Sequence, residues 1–197
     1  MRKTLTQLLL ALGAIALMCG SAGAFSFDDI RLWAGSGSNR AAIVIDWNDG
    51  ISPESIVWGF RWDGTATGRT MLNAVKAADE GLYEAAGTYG ESAIYGLGYD
   101  VDGDGFSNAD PADHYRAGFT TTGYWNYWVK SDISADWKYS NYGIQGRKLS
   151  DGCMDGWSYG GSPGDPTAAT AVPEPGALTG LMTGLASLGG LVLRRRK

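Results

Sequence analysis

Two apolar runs at opposite ends constrain this chain most, because neither can belong to the core of a domain folded between them. Leu8 to Met18 follows Arg2 and Lys3 and gives way to Gly20, Ser21, Ala22, Gly23 and Ala24. A positive start, a short apolar stretch and a small-residue site read as a secretory signal peptide over residues 1–24, cut after Ala24. An uncleaved anchor is the alternative. Cys19 goes with that peptide, since Met18 stands where lipid attachment needs a small side chain. The second run covers 177–193 and is followed by Arg194, Arg195, Arg196 and Lys197. At helical rise it spans roughly 25 Å, near the lower limit for a transmembrane helix. The terminal cations form a membrane stop that stays cytoplasmic, which puts the intervening body across the inner membrane.

Removing both ends changes the charge balance. The full chain has 16 cations and 21 anions, a formal net charge of −5. Arg2, Lys3 and the four tail cations leave with the ends, as does Glu174, so residues 25–171 keep ten cations against twenty anions, a net of −10. A body this acidic is no footing for a nucleic-acid backbone, and no nucleic-acid partner is expected. Cys153 is the body's one cysteine, which excludes an internal disulfide. A buried, small apolar role fits it, with an intermolecular bridge as the other reading. Residues 160–171, rich in Gly, Ser, Pro, Thr and Ala, read as a flexible linker. Gly160, Ser162 and Gly164 match a nucleophile-elbow spacing by accident, because Pro163 and a spacer follow where a helix must start.

Residues 25–159 then form one exported acidic domain. Ile56, Trp58, Phe60 and Trp62 alternate with Val57, Gly59, Arg61 and Asp63, the pattern of a strand with one apolar face. Ala42–Trp47, Ala93–Tyr99, Tyr124–Val129, Asp136–Tyr139 and Asp155–Tyr159 are further strand candidates between Gly, Asn and Asp. From Thr67 to Asp79, Met71, Leu72, Val75 and Ala78 recur at helical spacing, with Thr67 as a cap and Gly81 as a stop. Strands, one helix and more strands predict an α+β fold, a mostly antiparallel sheet with one packed helix.

The densest local chemistry is Asp100-Val101-Asp102-Gly103-Asp104-Gly105-Phe106-Ser107-Asn108-Ala109-Asp110. Carboxylates at alternate positions converge on a hard cation if the chain curls, Gly105 permits the turn, the Phe106 carbonyl is a possible ligand, and Asn108 holds the often water-linked place. The segment resembles the calcium loops of EF-hand and dockerin-like proteins, with Asp100, Asp102, Asp104, Phe106, Asn108 and Asp110 as ligands. It departs from them at Pro111, which stands where a bidentate acid belongs. A solvated acidic turn held open by repulsion is the competing reading. His114, the one imidazole, reads as part of a polar loop in Asp113-His114-Tyr115. All eight Trp lie in the body, as core or as sugar platforms. Trp125 and Tyr127 point opposite to Tyr124, Asn126 and Trp128, so one of these two sets is expected to face solvent.

Two resemblances add expectations. Val172-Pro173-Glu174-Pro175, the apolar run and the basic cluster, in that order at the chain end, resemble the PEP-CTERM sorting signal, a tail also called the ice-binding protein C-terminal domain. The resemblance implies a Gram-negative cell, an exosortase that recognises Pro173, Glu174 and Pro175, and an association with exopolysaccharide or biofilm matrix. Tyr124-Trp125-Asn126-Tyr127-Trp128, Leu149-Ser150-Asp151-Gly152 and Trp157-Ser158-Tyr159 are similar to a transcobalamin-like β-grasp domain, from which a fold is expected and nothing about cobalamin is carried over. Cys153-Met154 departs from its usual turn. The chain is thus expected to be a non-catalytic structural protein of the cell envelope or matrix. The alternatives are a calcium-assisted carbohydrate or small-ligand module and, third, a hydrolase built on two carboxylates. The expected location is periplasmic while the tail anchors the body, then cell surface or extracellular.

Overall fold

The computed structural model describes residues 25–161 except 31, 88–89 and 121–122. The expected signal peptide, the sorting tail with its helix at 177–193, and all but the first two residues of the linker lie outside the described residues. No helix among the described residues is long and apolar enough to cross a membrane.

The alternating segment is β3 (Ser55–Trp62). Trp58, Phe60 and Trp62 are buried on one face, Ile56 packs at their margin, and Arg61 on the other face is exposed. Its neighbour β2 (Asn39–Asp46) runs antiparallel, pairing Ile43 with Trp58 and Ile45 with Ile56. Six consecutive residues of β2, Ala41 to Asp46, are buried, as a strand covered on both faces must be. Around this pair the larger sheet adds β1 (Trp33–Gly35), β7 (Tyr124–Lys130), β8 (Lys138–Tyr139) and β9 (Met154–Gly160) in the order β1-β3-β2-β9-β7-β8. The sheet is mixed: β1 is parallel to β3, and β9 is parallel to β2.

One helix, α1 (Gly68–Ala78), packs across β1 and β3 through Met71, Leu72 and Val75, the residues that marked its period. Thr67 caps it by accepting from the Thr70 N–H at 3.2 Å, and Thr70 bonds back to the Thr67 N–H. The helix ends at Ala78 with Asp79 as its C-cap, just before the expected stop at Gly81, and the Asp79 carboxylate accepts from the Gly81 N–H at 3.1 Å and the Trp58 indole N–H at 2.7 Å.

A second, antiparallel sheet closes the same layer: β4 (Leu82–Ala85), β5 (Gly96–Tyr99) and β6 (His114–Ala117), in that order. Leu82 and Leu97 reach inward to meet Trp47, Trp58 and Leu72 in the main core. The opposite face of the large sheet is covered by a smaller cluster in which Phe27, Ile30, Ala42, Val44 and Met154 pack with Trp33, Val57, Ile133 and Trp137.

The domain is therefore α+β, mostly sheet, with one helix. The expectation that one aromatic set of β7 faces solvent is overturned. Trp125 and Tyr127 are buried in the main core, Asn126 is fully buried on the other face, and Tyr124 and Trp128 are half-covered. Asn126 donates to the Ser158 and Gly160 carbonyls at 3.4 and 2.7 Å, and the Trp128 ring meets Tyr139 of β8 edge-on, so this face is taken up by its neighbouring strands. Cys153 is fully buried and unpaired, and burial pushes its thiol pKa up.

Candidate functional site: an aromatic face beside an acidic loop

The acidic loop joins β5 to β6, and its own carboxylates fold it. Asp100 accepts from the N–H of Gly103 at 2.7 Å and of Gly105 at 3.0 Å, while Asp113 accepts from Val101 at 3.2 Å and Ser107 at 2.8 Å. Gly105 turns the chain at φ +114°, a region closed to ordinary side chains. Two carboxylate triads result, Asp100 with Asp102 and Asp113, and Asp102 with Asp104 and Asp110, the oxygens of each within 4.8 Å of one another. The neighbouring Asp102 charge pushes the Asp104 pKa up, with smaller contributions from Asp110 and Asp100. Four of the expected ligands, Asp100, Asp102, Asp104 and Asp110, are thus gathered. Asp113, buried and absent from the expected set, completes one triad. By spacing it stands two positions past the closing acid's place at Pro111, which kept it out of the expected set.

Phe106 does something its backbone position did not announce. Its ring lies on β5 at Gly98, where an added Cβ would stand 2.2 Å from Cε2. Gly98 pairs with Tyr83 on one side and Tyr115 on the other, so the row Tyr83–Gly98–Tyr115 forms a seat for the ring. Phe106 stacks on Tyr83 at 4.5 Å between centroids and 17° between planes, with Tyr115 tilted at 5.9 Å. The adjoining row on this outward face is small: Ala85, Gly96 and Ala117. Tyr95 flanks it, 37% exposed, and Tyr83 is 42% exposed. Burial, together with the Tyr83 and Tyr95 phenols, pushes the Tyr115 pKa up. The hydroxyls of these three tyrosines have no hydrogen-bond partner among the described residues. Sheet parity within β6 explains the arrangement: Tyr115 points outward, whereas His114 and Arg116 point in.

His114 corrects the polar-loop expectation. It belongs to β6, is fully buried, stacks on Trp47 at 4.4 Å and bonds the Asp49 carboxylate through Nδ1 at 3.0 and 3.1 Å; its Nε2 has no partner. All eight tryptophans are buried or half-covered, so the exposed flat surface belongs to tyrosine and phenylalanine.

This face offers ring surfaces and hydroxyl groups to a polar ring-shaped ligand, beside a loop that can gather a hard cation. No protein-family model, no curated protein and no solved structure matches the chain.

Proposed function

We propose that the chain is an exported, exosortase-sorted component of the cell envelope or extracellular matrix, and that its non-catalytic body attaches to exopolysaccharide through the aromatic face of the small sheet. The observation that carries the attachment is the seating of Phe106 on Gly98 between Tyr83 and Tyr115. Sugar rings pair their C–H faces with aromatic rings and their hydroxyls with groups such as the three tyrosine hydroxyls here. Calcium held by Asp100, Asp102, Asp104, Asp110 and Asp113 supports the face by fixing the loop that delivers Phe106. The export route rests on residues 1–24, on Val172 to Pro175, and on the membrane stop Arg194 to Lys197.

Retention on immobilised polysaccharides tests the binding reading. The full chain in detergent is expected to be retained by a glycan of the panel, and Tyr83→Ala to bind about tenfold more weakly, equivalent to about 1.4 kcal/mol. Tyr142→Ala, which alters a 70% exposed ring in the loop after β8, should leave retention unchanged. No retention across neutral and acidic glycans would leave a purely structural body.

A further inference from the structure

The edge of β6 borders a cavity of about 560 Å³ lined by Asn48, Tyr115, Arg116, Ala117, Tyr159 and Gly160. That volume is within the range of small-ligand sites. Among the described residues of this lining, Arg116 is the one ionised group, inside a body whose net charge is strongly negative. Arg69, Lys76 and Arg147 each have a carboxylate partner. Arg116 has none among the described residues.

The side chain is nevertheless held in place. Nε and one terminal nitrogen donate to the Trp47 and Asn48 carbonyls, each at 3.4 Å, and the guanidinium lies 5.8 Å from the centre of the Tyr159 ring. The Arg116 carbonyl accepts from the Trp125 indole N–H at 3.1 Å, and the Tyr159 hydroxyl donates to the Ala117 carbonyl at 3.3 Å, which ties the strand edge to the large sheet. Two long bonds use a minority of the five guanidinium N–H donors. A positioned guanidinium with spare donors is a receptor for one carboxylate, which it binds through paired, charge-assisted hydrogen bonds.

We infer that this cavity is the acid-sugar subsite of the glycan-binding face, with Arg116 recognising the carboxylate of a uronic acid. The inference rests on the glycan reading, because Tyr115 joins the two places: it stands in the outward aromatic row and lines the cavity. A glycan lying over Tyr83 and Phe106 and crossing β6 brings its next sugar to Arg116. The Asp100–Asp113 loop beside the same face repels a chain charged at every residue. The preferred ligand is therefore a largely neutral polysaccharide with sparse uronates.

The test compares a xylo-oligosaccharide carrying one glucuronic acid with its carboxyl-reduced counterpart, titrated into the full chain in detergent. The acid form should bind about tenfold more tightly at low salt, as one charge-assisted pair worth about 1.4 kcal/mol requires, and the preference should shrink in 0.5 M salt. Arg116→Gln should abolish the preference and Arg116→Lys restore part of it. Tyr83→Ala should weaken both ligands alike. Because the ligand comparison uses unaltered protein, a folding defect in a variant leaves it intact. Equal affinity of the parent for the two glycans overturns the Arg116 inference and leaves the aromatic face standing. Failure of both glycans to bind removes the aromatic-face reading, and free glucuronate then decides the cavity: a shift of the Arg116 Nε–H resonance upholds the carboxylate receptor, and no shift overturns it.

Discussion

Gly98 is the residue on which the aromatic face turns. A methyl group there would meet Phe106 at 2.2 and 2.4 Å and the His114 carbonyl at 3.0 Å. The ring must lift before the strand can keep its register. Gly98→Ala is therefore expected to weaken glycan retention about tenfold while moving the melting temperature by only a few degrees, since added strand propensity offsets part of the strain. Pull-down and thermal unfolding of one preparation check both halves. Asp155 has the opposite profile. It is fully buried, accepts from the Tyr127 hydroxyl and from Arg147 Nε at 3.2 Å, and burial pushes its carboxyl pKa up. Asp155→Ala leaves the Arg147 guanidinium without its carboxylate and should cost about 3–5 kcal/mol in denaturant unfolding, with the aromatic face untouched until the fold is lost.

At the scale of elements, the β5–β6 loop couples charge to order. Mutual repulsion raises the Asp104 pKa above its ordinary 3.8, so the folded loop binds protons more readily than the unfolded chain. The contribution is present below that ordinary value and is lost as pH rises through the raised one. Calcium reverses the dependence by displacing those protons. Without calcium, Asp104→Asn should raise the melting temperature at pH 7 and change it little at pH 3. With calcium, the parent should gain stability and the variant gain less. Melting curves with and without the ion read all four cases, and a parent indifferent to calcium removes the metal from the loop.

The same scale shows what was legible. β3 announced itself because Trp58, Phe60 and Trp62 all meet one layer, and α1 because Met71, Leu72 and Val75 make a single stripe ended by a threonine cap. β1, β4 and β6 are three or four residues long, too short for a period to register. β4 and β6 also point charge inward. Glu84 faces Arg69 at 2.6 Å and Lys76 at 2.9 Å, and Arg116 reaches the carbonyls after β2, so polar residues occupy positions where alternation looks for apolar ones. The acidic loop could be read as a cation site, but its delivery of Phe106 to Gly98 could not, because that contact depends on a strand pairing no local spacing encodes. Nor could the burial of Asn126 or the edge-on packing of Trp128 on Tyr139, which depend on β9 and β8 lying on either side of β7.

For the whole molecule, the proposed function divides between body and ends. The −10 body carries the surface chemistry, and the proposed route depends on residues the body does not contain. Replacing Pro173, Glu174 and Pro175 with alanine should therefore leave the protein in the membrane fraction with its body still able to bind glycan. Fractionation and immunoblotting of cells expressing the parent and the variant check this, and equal release from both would remove the sorting signal.

The place of β9 has a further consequence. The last strand among the described residues is an interior one, wedged between β2 and β7, and without it the large sheet is two unconnected pieces. A chain emerging from its N-terminus cannot complete this sheet until Met154 to Gly160 arrive. Early segments wait with Trp125, Tyr127 and the back of β2 uncovered, and long-range pairing makes the final step slow. On the proposed export route, that delay keeps the body threadable, because the large sheet closes only after its interior strand has emerged.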